Sequence, residues 1–246
     1  MANNIFFFIL VGFLAQMVDG ALGMAYGVIS NAVLLSVGVP PKNASASLHT
    51  AEMFTTAVSG LSHWKMGNVR KDLFIRLVIP GVIGGVLGAY VLSVLPGDEL
   101  KPYIAVYLIL MGLIIIYKAF RHVESRHEVT WHVIPLALLG GTCDAIGGGG
   151  WGPVVTSTLV ARGHEPRYTI GTVNASEFFV TCAQVATFFA TIHMGFWKIT
   201  AGLLIGGVIA APLAAIVCKK VPPRPLMVMV GLLIIGLNVR TLILSF

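Results

Sequence analysis

Four carboxylates stand inside otherwise apolar sequence: Asp19, Glu52, Asp144 and Glu177. A charged carboxylate near the centre of a bilayer costs on the order of 3 kcal/mol or more, so each must be paired, protonated or solvated. Burial disfavours the charged form of a carboxyl, which suits such groups to exchanging protons near neutral pH. The four also fall into two matched pairs. Asp19 opens the segment Asp-Gly-Ala-Leu-Gly-Met-Ala-Tyr-Gly27, and Asp144 opens Asp-Ala-Ile-Gly-Gly-Gly-Gly-Trp-Gly152. The same offset of 125 residues carries Gly38, Pro41, Lys42 and Glu52 onto Gly163, Pro166, Arg167 and Glu177 without a gap.

The glycines around the two aspartates supply the second half of the chemistry. Gly20, Gly23 and Gly27 in the first copy face Gly147, Gly148, Gly149, Gly150 and Gly152 in the second. Such runs break a membrane helix and free backbone N–H and C=O groups, which hydrocarbon tolerates only where the backbone is buried in protein or lines a wet cavity. The N–H groups at the start of the following half-helix make an anion site. Gly23, Gly27, Gly148, Gly149 and Gly150 are therefore candidate substrate-binding positions. Close packing of helices through small residues is the competing reading. Three residues before each glutamate, on the same helical face, stands a polar partner: His49 before Glu52 and Asn174 before Glu177. His49 and Asn174 join the substrate-binding candidates. His49 could also carry a proton, or be a core histidine satisfied by Glu52.

Glu52 and Glu177 are the candidate proton-coupling acids, and both could instead brace a broken helix by accepting from its freed N–H groups. Asp19 and Asp144, at the breaks themselves, are placed either as helix caps or as parts of the site. Asn31 and Cys143 are candidate cavity-lining residues. Gln16 and Gln184 are polar residues in apolar runs, suited to lining a cavity or to bonding between helices. Cys182 and Cys218 read as small apolar packing residues. No spacing of His, Cys or acids suggests a metal, no Gly-Lys-Ser/Thr follows the glycines, and no cofactor is implied.

The elements that must position these residues are membrane helices. The chain has 246 residues, of which 57% are hydrophobic and 11% charged, with a mean hydropathy of +0.89, which excludes a soluble domain. Apolar runs of bilayer-crossing length recur at about 44–62, 72–95, 101–120, 168–192, 199–218 and 225–246. The first apolar run lacks a basic start and a small-residue cleavage site, so it is expected to stay in the protein. The net charge of +6 is assigned to cytoplasmic loops rather than to nucleic-acid binding.

The chain divides into a first repeat, 1–121, a polar linker, 122–129, and a second repeat, 130–246. Each repeat begins with an interrupted apolar run and continues with three ordinary helices. A single helix over 5–37 would be roughly 50 Å long, whereas a break at Asp19–Gly27 leaves two half-helices of roughly 20 Å that could enter and leave on one face. Basic residues choose between the topologies. With re-entrant hairpins each repeat crosses three times, the repeats are inverted, and only Lys42, Lys101, Lys198 and Arg240 of the 16 basic residues fall on the face opposite the other 12. If every run crossed, the split would be 9 to 7 and carry no orientation. The expected fold is therefore an all-α polytopic membrane protein of two inverted repeats, each a re-entrant broken-helix hairpin plus three transmembrane helices, with both termini outside the cytoplasm.

The Asp-x-x-x-Gly-x-x-Tyr/Trp-Gly segment in each half and the lead Pro41-Lys-Asn-Ala-Ser-Ala46 into the next helix resemble the TauE/SafE sulfite exporter family, over essentially the whole length. The resemblance implies a bacterial inner-membrane permease for sulfite, sulfonates or related organosulfur anions. It implies a site lined by Asp19–Gly27, Ala44–Glu52, Asp144–Gly152 and Ile170–Glu177. The expected function is secondary transport of a small sulfur-containing anion, coupled to protons, by alternating access. Its partners would be that anion, protons and the lipid bilayer, with a homodimer as a further possibility and no enzymatic activity. A cation-coupled carrier, or an Na⁺ or Ca²⁺ exchanger built on the same acids, is the alternative.

Overall fold

A computed structural model describes residues 4–22, 24–120, 132–162, 164–192, 196–217 and 223–245. Gly23, Cys218 and the linker 122–129 lie outside the described residues. The chain forms α1 (Ile5–Leu22), α2 (Tyr26–Ser36), α3 (Pro41–Lys65), α4 (Lys71–Val94), α5 (Gly97–Ala119) and α6 (Val133–Gly147). A π-helical stretch, Trp151–Thr156, runs directly into α7 (Ser157–Ala161), followed by α8 (Pro166–Thr191), α9 (Trp197–Val217) and α10 (Pro223–Ile243). The protein is an all-α polytopic membrane protein. Lys71–Val94, Glu99–Ala119 and Arg224–Ile243 are long and apolar enough to cross a bilayer, and shorter apolar helices surround them. Large apolar side chains such as Ile75, Ile79, Leu87, Leu110 and Leu232 lie exposed on these helices, where lipid is the matching solvent.

Local sequence explains the element ends. Pro41 and Pro166 open α3 and α8, where their missing N–H costs nothing. Gly148, with φ 65°, is the left-handed residue that ends α6. The first break is shorter than the expected Asp19–Gly27. Helix α1 runs through Asp19 to Leu22, because Ala21 and Leu22 are strong helix formers and a membrane helix keeps its backbone bonded until the chain must turn. The two pieces are thus unequal, roughly 27 Å and 16 Å. In the second half the piece after the break, Trp151–Ala161, is the 125-residue shift of Tyr26–Ser36.

Packing follows the duplication. Helix α1 lies along α9 as α6 lies along α4; α3 meets α8; α5 meets α10; and α3 touches α9 as α8 touches α4. Exchanging α1 with α6, α3 with α8, α4 with α9 and α5 with α10 turns this pattern into itself. Glycines allow the close approaches. A Cβ on Gly84 or Gly88 would strike the α6 backbone at Leu138 or Thr142, and one on Gly12 or Gly206 would strike across the α1–α9 contact. Small-residue contacts of this kind let van der Waals packing hold helices together where the hydrophobic effect cannot.

Candidate functional site

The two breaks cross at the middle of the fold, backbone against backbone. A Cβ on Gly27 would lie 2.6 Å from the Gly148 carbonyl oxygen, and one on Gly149 would collide with the amide of Val28. Gly27 and Gly149 are therefore glycine because another main chain occupies the space of a side chain. Three side chains from the first half hold the second break: Asn31 donates to Gly147 O, Tyr107 Oη donates to Gly149 O at 3.0 Å, and Lys118 Nζ donates to Pro153 O at 3.0 Å.

Each aspartate caps the helix that follows its break, reaching back from the helix that precedes it. Asp19 Oδ1 accepts from Tyr26 N at 3.2 Å. Asp144 Oδ1 accepts from Gly150 N at 2.7 Å and from Trp151 N at 3.0 Å. These amides are among the unpaired donors of a helix start, and a negative charge there also meets the positive end of the helix dipole. Tyr26 and Trp151, seven residues beyond the aspartates, are held in matching places. Tyr26 lies beside Gly207 of α9 and its hydroxyl donates to Leu203 O at 3.3 Å; Trp151 lies against Gly81 of α4 and donates through Nε1 to Val173 O at 3.2 Å.

The second oxygen of Asp144 gathers side chains from distant helices. Gln184 Nε2 donates to Oδ2 at 2.9 Å and His49 Nε2 stands 3.1 Å from the same atom. On the other side of the ring, His49 Nδ1 lies 2.8 Å from Ser45 O and 3.1 Å from Ser45 Oγ. Ser45 Oγ gives its own proton to Ala145 O at 2.6 Å. Both ring nitrogens of His49 thus face acceptors, which is the arrangement of an imidazolium donating from each side. With His49 0% and Asp144 2% exposed, the two form a buried ion pair. Glu52 Oε2 stands 3.9 Å from His49 Nε2, beyond hydrogen-bonding distance, and among the described residues it has no hydrogen-bond partner although Glu52 is only 6% exposed. The partner that satisfies His49 is Asp144.

The four acids surround one small cavity. Asp19, Glu52, Asp144 and Glu177 line it together with Gly27 and Gly150. About 10 Å³ of it is open to the centre of a water-sized sphere, room for roughly one water. Gly149 lines it too. The other candidates stand elsewhere. His49 is one layer behind, on Asp144; Asn174 Nδ2 donates to Ser59 Oγ at 3.2 Å, on the α3–α8 contact; Asn31 and Gly148 meet each other at the crossing; Cys143 is half-buried beside Asp144. Ser45, Ser59, Tyr107 and Lys118 carry no sequence signal of their own, since each looks like an ordinary membrane-helix polar residue until the helices cross. Gln184 is visible as a polar residue in an apolar run, but nothing in its spacing points to Asp144.

Residues 8–241, nearly the entire chain and both breaks, match the family described as sulfite exporter TauE/SafE. The chain belongs to the TauE/SafE family. It is a membrane transporter of that family. This TauE/SafE chain is 47% identical over 247 residues to the probable membrane transporter protein YtnM of Bacillus subtilis (strain 168), a similarity that covers 96% of this chain and 82% of that protein. It is 26% identical over 208 residues to the probable membrane transporter protein ORF9 of a Sinorhizobium species, covering 81% and 77% of the two chains.

Proposed function

We propose that this transporter is a secondary carrier of a small sulfur-containing anion, such as sulfite or an organosulfonate, coupled to protons and working by alternating access of two inverted repeats in the bacterial inner membrane. The substrate class comes from the family; the coupling comes from the site. The observation that carries it is one small cavity at the crossing of two helix breaks, lined by two carboxyls from each half of the chain. Tyr26 and Gly150, at the starts of the two short helices, line the same cavity with their amides bonded to Asp19 and Asp144, so each helix start meets the cavity through its capping carboxyl. An anion can enter among these carboxyls only when enough of them are neutral, which ties its passage to proton uptake. Glu52, buried with an unpartnered oxygen, is the group best suited to that exchange, with Glu177 as its counterpart. The chain carries its substrate without chemical conversion. Both termini lie outside the cytoplasm, and the exposed apolar helices leave room for a homodimer.

The test is flux of labelled sulfite, thiosulfate and sulfonates into proteoliposomes with and without a pH gradient, with parallel arms containing Na⁺ or Ca²⁺. Uptake of one of these anions driven by the pH gradient is the expected result. Flux that follows Na⁺ or Ca²⁺ and ignores pH would replace proton coupling by cation coupling. Glu52→Gln and Glu177→Gln should each remove the pH dependence while the protein still assembles; an unchanged pH profile in both would reduce these acids to bracing. A reporter fused after Phe246 should read outside the cytoplasm, and a cytoplasmic signal would overturn the inverted arrangement.

A further inference from the structure

Between α3 and α8 a groove of about 450 Å³ opens on the surface of the helix bundle. Its floor is made of small residues, Ala57, Gly60 and Ala175, where the helices come so close that a Cβ on Gly60 would stand 3.0 Å from the Ala175 Cα. Its wall is a chain of rings set edge to face. Trp64 meets Phe74 at 5.7 Å, Phe74 meets Phe179 at 5.7 Å, and Phe179 meets Phe178 at 5.2 Å between centroids. The one hydroxyl on the floor is turned away from it, since Thr56 Oγ1 donates to Glu52 O at 2.8 Å within its own helix. Leu61, at the edge, belongs to an exposed apolar stripe of α3 that runs Phe54, Val58, Leu61 at helical spacing, so the groove faces hydrocarbon.

Charge collects at one end of this groove. Lys65 follows Trp64, Lys71 lies one helical turn before Phe74, and both lysines are exposed. Across 64–74 the chain carries three cations, Lys65, Arg70 and Lys71, against the one acid Asp72, which Arg70 Nη2 holds at 2.7 Å. Trp64, 48% exposed at the rim, is the residue type that settles where hydrocarbon meets headgroups. We propose that the groove is a binding site for an anionic phospholipid, with one acyl chain lying over Ala57, Gly60 and Ala175 beside the ring wall and the phosphate between Lys65 and Lys71. A zwitterionic lipid offers the same chain but no net charge to the lysines, each of which is attracted to an anionic headgroup. A second copy of the chain is the poorer occupant, because a two-fold contact puts the same patch on both subunits and would bring these lysines against each other. Thr56 lies one turn from Glu52, and Ala175 lies two residues from Glu177, so the lipid packs on the two helices that carry those acids. The site does not depend on what the protein transports.

Trp64 can report the occupant. The full chain carrying Trp131→Phe and Trp197→Phe is placed in vesicles of equal parts phosphatidylglycerol and phosphatidylcholine, with bromine on the acyl chains of one lipid at a time. Bromine quenches Trp64 on contact, while Trp151, 0% exposed, gives a constant background. Phosphatidylglycerol should compete for the site about tenfold better than phosphatidylcholine. Lys65→Gln with Lys71→Gln should bring that ratio to within about twofold of one. Ala57→Phe fills the groove and leaves the lysines, and it should do the same, because Trp64 then meets only the surrounding bilayer. A reporter moved to α10, by Trp64→Phe with Leu232→Trp, should read a ratio near one. A ratio near one at Trp64 without the lysine or Ala57 changes, a preference that survives the lysine pair or the filled groove, or an equal preference at position 232 would overturn the proposal. Trp64 left unquenched by both brominated lipids, with a dimeric mass by light scattering, would give the groove to a second copy and overturn it too. The lysine substitutions lie on the surface and keep the test decisive if Ala57→Phe does not assemble.

Discussion

In the second break glycine makes the turn, and side chains from two other helices, α2 and α5, hold it; among the described residues of the first, Ala25 carries the one positive φ and Asp19 accepts from Tyr26 N. Gly149 sits at φ 156° and Gly148 at φ 65°, conformations that glycine adopts freely. In the first copy Ala25, which the offset matches to Gly150 at φ −142°, sits at φ 145°, where a Cβ is strained. The flanking helices end and start at matching positions, Leu22 with Gly147 and Tyr26 with Trp151, while Ala25 and Gly150 differ in backbone conformation. A duplicated membrane scaffold can keep its helix ends while the turns between them drift in conformation.

Several substitutions would break or sharpen that contrast. The largest effect is expected at the buried ion pair. His49→Ala or Asp144→Ala leaves an uncompensated charge and should cost about 3–5 kcal/mol, against about 1 kcal/mol for Asp19→Ala, which loses only a cap. Thermal unfolding in detergent, followed by the loss of the monodisperse peak, measures the difference, and equal losses at Asp19 and Asp144 would erase the asymmetry. Gly149→Ala should cost about 1–3 kcal/mol from backbone strain alone, plus its collision with Val28, whereas Met24→Ala at the equivalent position should cost less. Tyr107→Phe frees the Gly149 carbonyl and should lower stability by about 1 kcal/mol. Ala25→Gly acts in the opposite direction, relieving strain and raising stability by about 1 kcal/mol if the first break keeps its shape.

The smallest effect serves as a control outside both breaks. His164, in the loop before α8, is buried near Arg70 and Arg162, and burial first, then those cations, hold its pKa below the usual histidine value. Its contribution to stability is complete above the unfolded pKa of about 6.5 and is lost as pH falls towards the lower folded value. His164→Gln should flatten that part of the pH–stability curve without touching the pH dependence of flux.

Much of this arrangement was readable from residue types. The aspartates, the glycine runs and the two glutamates sit at fixed offsets, and in the fold the four acids share one cavity. The length of the first break was not readable, because Ala21 and Leu22 extend a helix that glycine spacing alone would have ended. The convergence of His49 and Gln184 on Asp144 was hidden for a different reason. Those residues lie 95 and 40 positions away, and whether a side chain reaches a partner on another helix depends on the crossing of α3, α6 and α8, which no local period encodes. The helical face shared by His49 and Glu52 pointed towards their mutual contact, and the neighbouring helix supplied a nearer acceptor.

Helices α3 and α8 carry the glutamates, and many of their buried hydroxyls bond back to their own carbonyls, among them Thr50, Thr55, Thr56, Thr172 and Thr181. Among the described residues, neither helix is one of the stretches long and apolar enough to cross a bilayer. During synthesis α3 leaves the ribosome long before α8 and α9, the helices that cover it. Its own half carries Lys71–Val94 and Glu99–Ala119, which are apolar enough to cross a bilayer, so these two helices hold the early half in the membrane while α3 waits for the helices that cover it.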